Sequence, residues 1–114
     1  MDVKALKAAG IDVDDALKRF MGNENLLKRM LSKFLADTTF TQLKSAIEEK
    51  DHEKMFRCAH TLKGISGNLS LTNLYKISCE QTELFRANKD DEGILMMAEV
   101  EKAYNSVCEV IKTI

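Results

Sequence analysis

Apolar positions recur at helical spacing along almost the whole chain, with polar residues filling the intervals. From Glu24 the series Leu26, Leu27, Met30, Leu31, Phe34 and Leu35 marks one helical face, and Phe40, Leu43 and Ile47 continue it toward Asp51. The spacing does not decide whether residues 24–49 form one bent helix or two helices parted near Asp37. Asp51 is a natural N-cap for the next segment, 51–68. Its apolar positions, Met55, Ala59, Leu62, Ser66 and Leu69, fall within about 80° of arc, which predicts a narrow buried stripe. A further helix over 72–88 carries Leu74, Ile77, Gln81, Leu84 and Phe85 on its inner face. The last, over 90–112, opens on Asp90, Asp91 and Glu92, where acidic side chains suit the positive end of the helix dipole. It is expected to bury Ile94, Met97, Tyr104, Val107 and Ile111. Ahead of these, Asp2 caps a short helix over 2–9 that stops at Gly10. Asp12 caps a second over 12–21, closed by Gly22 and Asn23.

Long helices joined by short connections pack as antiparallel neighbours. The pattern therefore predicts an all-α chain, residues 1–114 forming a single domain. That domain is an antiparallel four-helix bundle whose open end is covered by the short N-terminal helices. Composition agrees: 45% of residues are hydrophobic, 31% are charged, and proline is absent. The charge balance, 17 basic against 18 acidic residues, leaves no basic patch for nucleic acid. No apolar run reaches the roughly 20 residues of a membrane span, and the charged N-terminus has no signal-peptide core. Cys58, Cys79 and Cys108 are too widely spaced for a zinc site. Free thiols in a reducing cytoplasm are the expectation, with no bound metal or cofactor. A bundle that buries its own apolar faces is expected to be a monomer.

One segment departs from this plain pattern. His60, Lys63 and Gly64 stand at positions i, i+3 and i+4 of the helix over 51–68, and so share one surface. Measured from Met55 at the centre of the buried stripe, His60 lies about 140° away, Gly64 about 180°, Gly67 about 120° and Lys63 about 80°. The ring thus points to solvent with a glycine on either side of it and a lysine on the shoulder. Glycine inside a helix costs roughly 1 kcal/mol relative to alanine. Two of them on the outer face are better explained as room for an approaching protein than as close helix packing. Phe56, one turn before His60, is placed by its spacing either in the core or on the rim of this patch. Cys79, on the adjacent helix, is a candidate second rim residue. His52, in the first turn of the same helix, has no such surroundings and reads as ordinary surface.

The run His60-Thr61-Leu62-Lys63-Gly64, with Ala59 before it and Gly67-Asn68-Leu69 after it, resembles the histidine phosphotransfer (HPt) domain family. The flanking Gly10-Ile11-Asp12-Val13 and Phe34-Leu35-Ala36-Asp37-Thr38 are similar to those of bacterial members, and the resemblance extends from about Ile11 to Ile111. It implies a helical bundle that accepts a phosphoryl group from a receiver-domain aspartate and passes it to another receiver. By the same resemblance His60 is the phosphorylated residue, Lys63 its charge partner and Gly64 the clearance residue. Phe56, Gly67 and Cys79 would meet the partner. Many members carry glycine ten positions after the histidine, where this chain has Ser70. Some use a polar side chain of the following helix near the ring, for which Gln81 and Thr82 are the candidates.

A neutral imidazole is nucleophilic near neutral pH without a base to activate it. The chain has no phosphate-binding loop of the G-x-x-x-x-G-K type and no carboxylate cluster for magnesium. It is therefore expected to have phosphotransferase activity without kinase activity of its own. The Mg²⁺ is expected on the partner, a receiver domain of a response regulator or hybrid histidine kinase. Two other readings stay open: a phosphoacceptor domain detached from a histidine kinase, and a bundle that binds receivers without chemistry. Met1 at the start and the absence of a linker at the end favour a free-standing protein over the former. A metal or haem bundle has little behind it, with two histidines eight residues apart.

Overall fold

The computed structural model describes residues 1–114 as eight helices. These are α1 (Val3–Ala8), α2 (Val13–Arg19), α3 (Glu24–Ala36), α4 (Thr39–Glu49), α5 (His52–Asn68), α6 (Thr72–Arg86), α7 (Asp90–Leu95) and α8 (Met97–Ile111). There is no strand. The bundle is built from α5, α6, α8 and the α3–α4 pair. Helices α1 and α2 cover the end where α5 turns into α6, held there by Asp12 N–H donating to the Ser70 carbonyl and Asn73 N–H to the Gly10 carbonyl.

Side-chain caps set the starts of four helices. Asp2, Asp12, Asn23 and Asp51 each accept from the backbone N–H three residues on, which satisfies a donor the helix itself leaves free. The chain parts between α3 and α4 at Asp37, which is extended and accepts from Thr39 N–H at 2.8 Å. The corner is fixed against α8 by Tyr104, whose ring stacks on Phe40 at 4.0 Å and tilts against Phe34 at 5.5 Å.

The core is one cluster running the length of the bundle, and the α5 stripe of Met55, Ala59, Leu62, Ser66 and Leu69 lies wholly within it or at its polar edge. The single helix expected over 90–112 is instead divided at Met96. Gly93 explains the division. An added Cβ there would stand 2.5 Å from the buried Phe85 ring, so α7 approaches α6 more closely than any other residue allows. The Gly93 carbonyl then accepts from Gln81 Nε2 at 3.1 Å. Of the residues expected to be buried in this segment, Ile94, Met97 and Tyr104 are half-buried, while Val107 and Ile111 are fully inside.

Five helices, α1, α2, α4, α5 and α6, end in the same turn. A left-handed residue bonds the carbonyl three back, and the next N–H bonds the carbonyl five back. The left-handed residues are Gly10, Met21, Lys50, Ser70 and Asn88. Only Gly10 is a glycine, and there a Cβ would also meet Asn73 Cβ at 2.6 Å.

Two substitutions test these corners by urea denaturation. Gly93→Ala is expected to destabilise by about 1–3 kcal/mol, because the buried Phe85 ring has nowhere to move. Lys50→Gly, at an exposed left-handed position (φ 52°), is expected to stabilise by about 0.5 kcal/mol. There the relief of backbone strain exceeds the extra freedom of glycine in the unfolded chain.

Candidate functional site

Helix α5 can bury only one face. With Met55, Ala59 and Leu62 inside, His60 is left exposed on the outer face. Its ring stacks on that of Phe56, one turn earlier, with centroids 5.9 Å apart and planes 27° from parallel. The Arg86 guanidinium, from the end of α6, lies 4.9 Å from the centre of the Phe56 ring. Arg86 Nε also donates to Glu83 Oε1 at 3.2 Å. A row of imidazole, phenyl and guanidinium thus crosses from α5 to α6. Phe56 is half-buried, packing against the core while its ring meets these two groups. It belongs to core and rim at once.

Lys63 is half-buried on the shoulder and enters no ion pair, so its ammonium is free to meet an anion. Gly64 is exposed, and a Cβ added there would meet nothing within 4 Å. Space over the ring is therefore not taken up by the protein itself.

Gly67 differs from expectation. An added Cβ would stand 3.0 Å from two atoms of the Tyr75 ring, so this glycine serves close packing of α5 on α6 rather than clearance around His60. Spacing along α5 turns Gly67 outward, but Tyr75 leans over it from the next helix. Cys79 is half-buried on α6, one turn past Tyr75, and its thiol pushes the Tyr75 phenol above its usual range. The antiparallel register set by the Gly67–Tyr75 and Phe56–Arg86 contacts puts Cys79 level with Lys63. Gln81 and Thr82 do not reach the ring. Both are fully buried, Gln81 donating to Gly93 and Thr82 to the Ser78 carbonyl. His52 is not bare surface either: its Nδ1 lies 2.8 Å from Asp90 Oδ1 and fastens the start of α5 to α7.

Ser70 occupies the left-handed position that ends α5, with φ of 56° and 5% exposure. Glycine adopts such an angle more freely than serine does. The serine hydroxyl donates to Asp15 Oδ2 at 2.6 Å, and Arg19 Nε donates to the same oxygen at 2.9 Å. The Ser70 hydroxyl first, and Arg19 second, hold the Asp15 carboxyl below its usual range. Asp15, Arg19, Lys63, Gly64, Ser70 and Tyr75 line a groove of about 420 Å³ that opens beside the His60 face. No group of three His, Cys, Asp or Glu side chains is placed to hold a metal ion.

Arg86, Asp15 and Arg19 were not singled out by the sequence pattern, since each reaches the site from another helix. The arrangement offers an exposed nitrogen nucleophile, an unobstructed approach and cations at its margin. It provides positioning and charge.

Comparison with known proteins gives two matches. The family model of the Hpt domain matches residues 29–109. Multistep phosphorelay regulator 1 of Schizosaccharomyces pombe (strain 972 / ATCC 24843) is 29% identical over 79 residues, which are 69% of this chain and 26% of that regulator. The chain thus spans about a quarter of the length of the curated relative it matches. No solved structure matches.

The two glycines separate under substitution. Gly64→Ala is expected to stabilise the protein by about 1 kcal/mol, the helix-propensity difference, because nothing opposes the new methyl. Gly67→Ala is expected to gain less, because Tyr75 must move aside. Paired urea denaturation curves check the order.

Proposed function

Because the chain belongs to the Hpt domain family, we propose that it is a phosphorelay intermediate in which His60 accepts a phosphoryl group from a receiver-domain aspartate and hands it to a second receiver. The observation that carries the reading is the exposed His60 ring beside an open Gly64 and an unpaired Lys63. The family match and the likeness to a phosphorelay regulator support it.

In the forward step a ring nitrogen of neutral His60 attacks the phosphorus of the aspartyl phosphate. The N–P bond forms as the O–P bond to the aspartate breaks, and the carboxylate leaves with its electron pair. The second ring nitrogen keeps or releases its proton to water. The return step reverses the bond changes onto another aspartate. The receiver brings the acidic pocket and the Mg²⁺. This chain brings a nucleophile held by a rigid helix, with Lys63 close enough to balance charge on the transferred group. Arg86, across the Phe56 ring, adds a second cation at the margin. Phe56 stacking limits the rotation of the imidazole, so less ordering is left to the encounter. Three free cysteines support a reducing, cytoplasmic setting, and we take the working form to be a monomer.

Phosphoramidate, a small donor that phosphorylates histidine directly, tests the acceptor without a partner. The wild-type chain is expected to gain one acid-labile phosphoryl group by intact mass, and His60→Gln none. Equal labelling of His60→Gln sinks the assignment. Gly64→Leu is expected to keep the helical circular dichroism signal while slowing transfer from an acetyl-phosphate-charged receiver by at least about tenfold, since the leucine fills the approach. Transfer at the wild-type rate removes the clearance argument.

A further inference from the structure

The groove beside Gly64 has a wall that the phosphoryl chemistry does not use. Arg19 stands in the last turn of α2 and reaches the groove that Lys63 and Gly64 border on its other side. Its Nε–H donates to Asp15 Oδ2, and that oxygen also accepts from the Ser70 hydroxyl. A guanidinium has five N–H donors, and only this one is engaged. The side chain is 49% exposed, and its terminal nitrogens enter no hydrogen bond within the protein.

The clamp behind Arg19 is unusually well built for a surface pair. An exposed i, i+4 ion pair contributes little by itself. Here its acceptor is fixed by a hydroxyl that is almost wholly buried, on a residue held at a backbone angle that glycine would adopt freely. A serine at that position sacrifices backbone ease and gains a fixed Asp15. With Asp15 Oδ2 occupied twice, the charged lining of the groove is two cations, Arg19 and Lys63, against one satisfied carboxylate. A planar fork presented in a fixed place, next to a free ammonium, matches a carboxylate on an approaching surface.

We infer that Arg19, positioned by Asp15 and Ser70, is a specificity-determining residue of the docking surface, pairing with a carboxylate of the receiver domain as that domain covers Gly64 to reach His60. This rests on the relay function proposed above. A receiver with an acidic side chain at that point is favoured. One with a basic side chain meets Arg19 and Lys63 and is rejected.

The test compares two rates on the same protein. The full chain is loaded with phosphoramidate, then mixed with a panel of isolated receiver domains and Mg²⁺, and loss of phosphohistidine is followed. For the receiver that discharges the wild type fastest, the ratio of transfer rate to loading rate is expected to fall about tenfold in Arg19→Ala and further in Arg19→Glu. The loss is expected to shrink as salt is raised. Ser70→Gly is expected to lose part of the ratio while melting no lower than the wild type, because it releases the clamp and relieves the backbone together. An order of Ala and Glu variants that ignores charge, or wild-type ratios in both, overturns the assignment of Arg19. Failure of the wild type to load, or to discharge to any receiver, overturns the relay function itself and takes the assignment with it.

Discussion

The geometry of the site follows from the burial of a single stripe on α5. Met55, Ala59, Leu62 and Ser66 are all fully inside, and α6 and α4 flank the helix on either side. A helix held in that way has no rotational freedom left. Turning it enough to hide His60 would carry Met55 and Leu62 toward water, at about 2 kcal/mol or more for each side chain. The outward aim of the imidazole is therefore enforced by the core, and the groups around it need only adjust what the ring meets. Phe56 shows the same coupling on a smaller scale, since its ring both packs against the core and stacks with the imidazole.

What the amino-acid pattern made legible was whatever depends on one helix at a time. The α5 stripe, the caps at Asp2, Asp12 and Asp51, and the outward angle of His60 all come from spacing within a few turns. Contacts between helices were not legible. Gly67 sits at an angle that reads as solvent-facing, yet Tyr75 of α6 lies over it. The spacing of Gln81 places it inward, but nothing local says that its amide ends on Gly93. The division at Met96 has the same origin, because Gly93 carries no breaker signal strong enough to end a helix until Phe85 is seen against it.

Ser70 shows how one position can serve two demands. Its backbone must be left-handed for α5 to turn into α6, and its hydroxyl secures Asp15 on the helix that covers that turn. Residue identity there decides how firmly α2 is attached, and with it the shape of the groove beside Gly64. A glycine would meet the first demand better and the second not at all.

The corners of the bundle have a consequence for recognition. At the end of α4, left-handed Lys50 is followed at once by the capping Asp51, and His52 then bonds Asp90 at the start of α7. Such joints leave no slack segment to act as a hinge near the imidazole. The face around His60 is therefore preformed, with little adjustment left to make on binding. A surface with so little give behaves as a template, and fits only shapes complementary to its own.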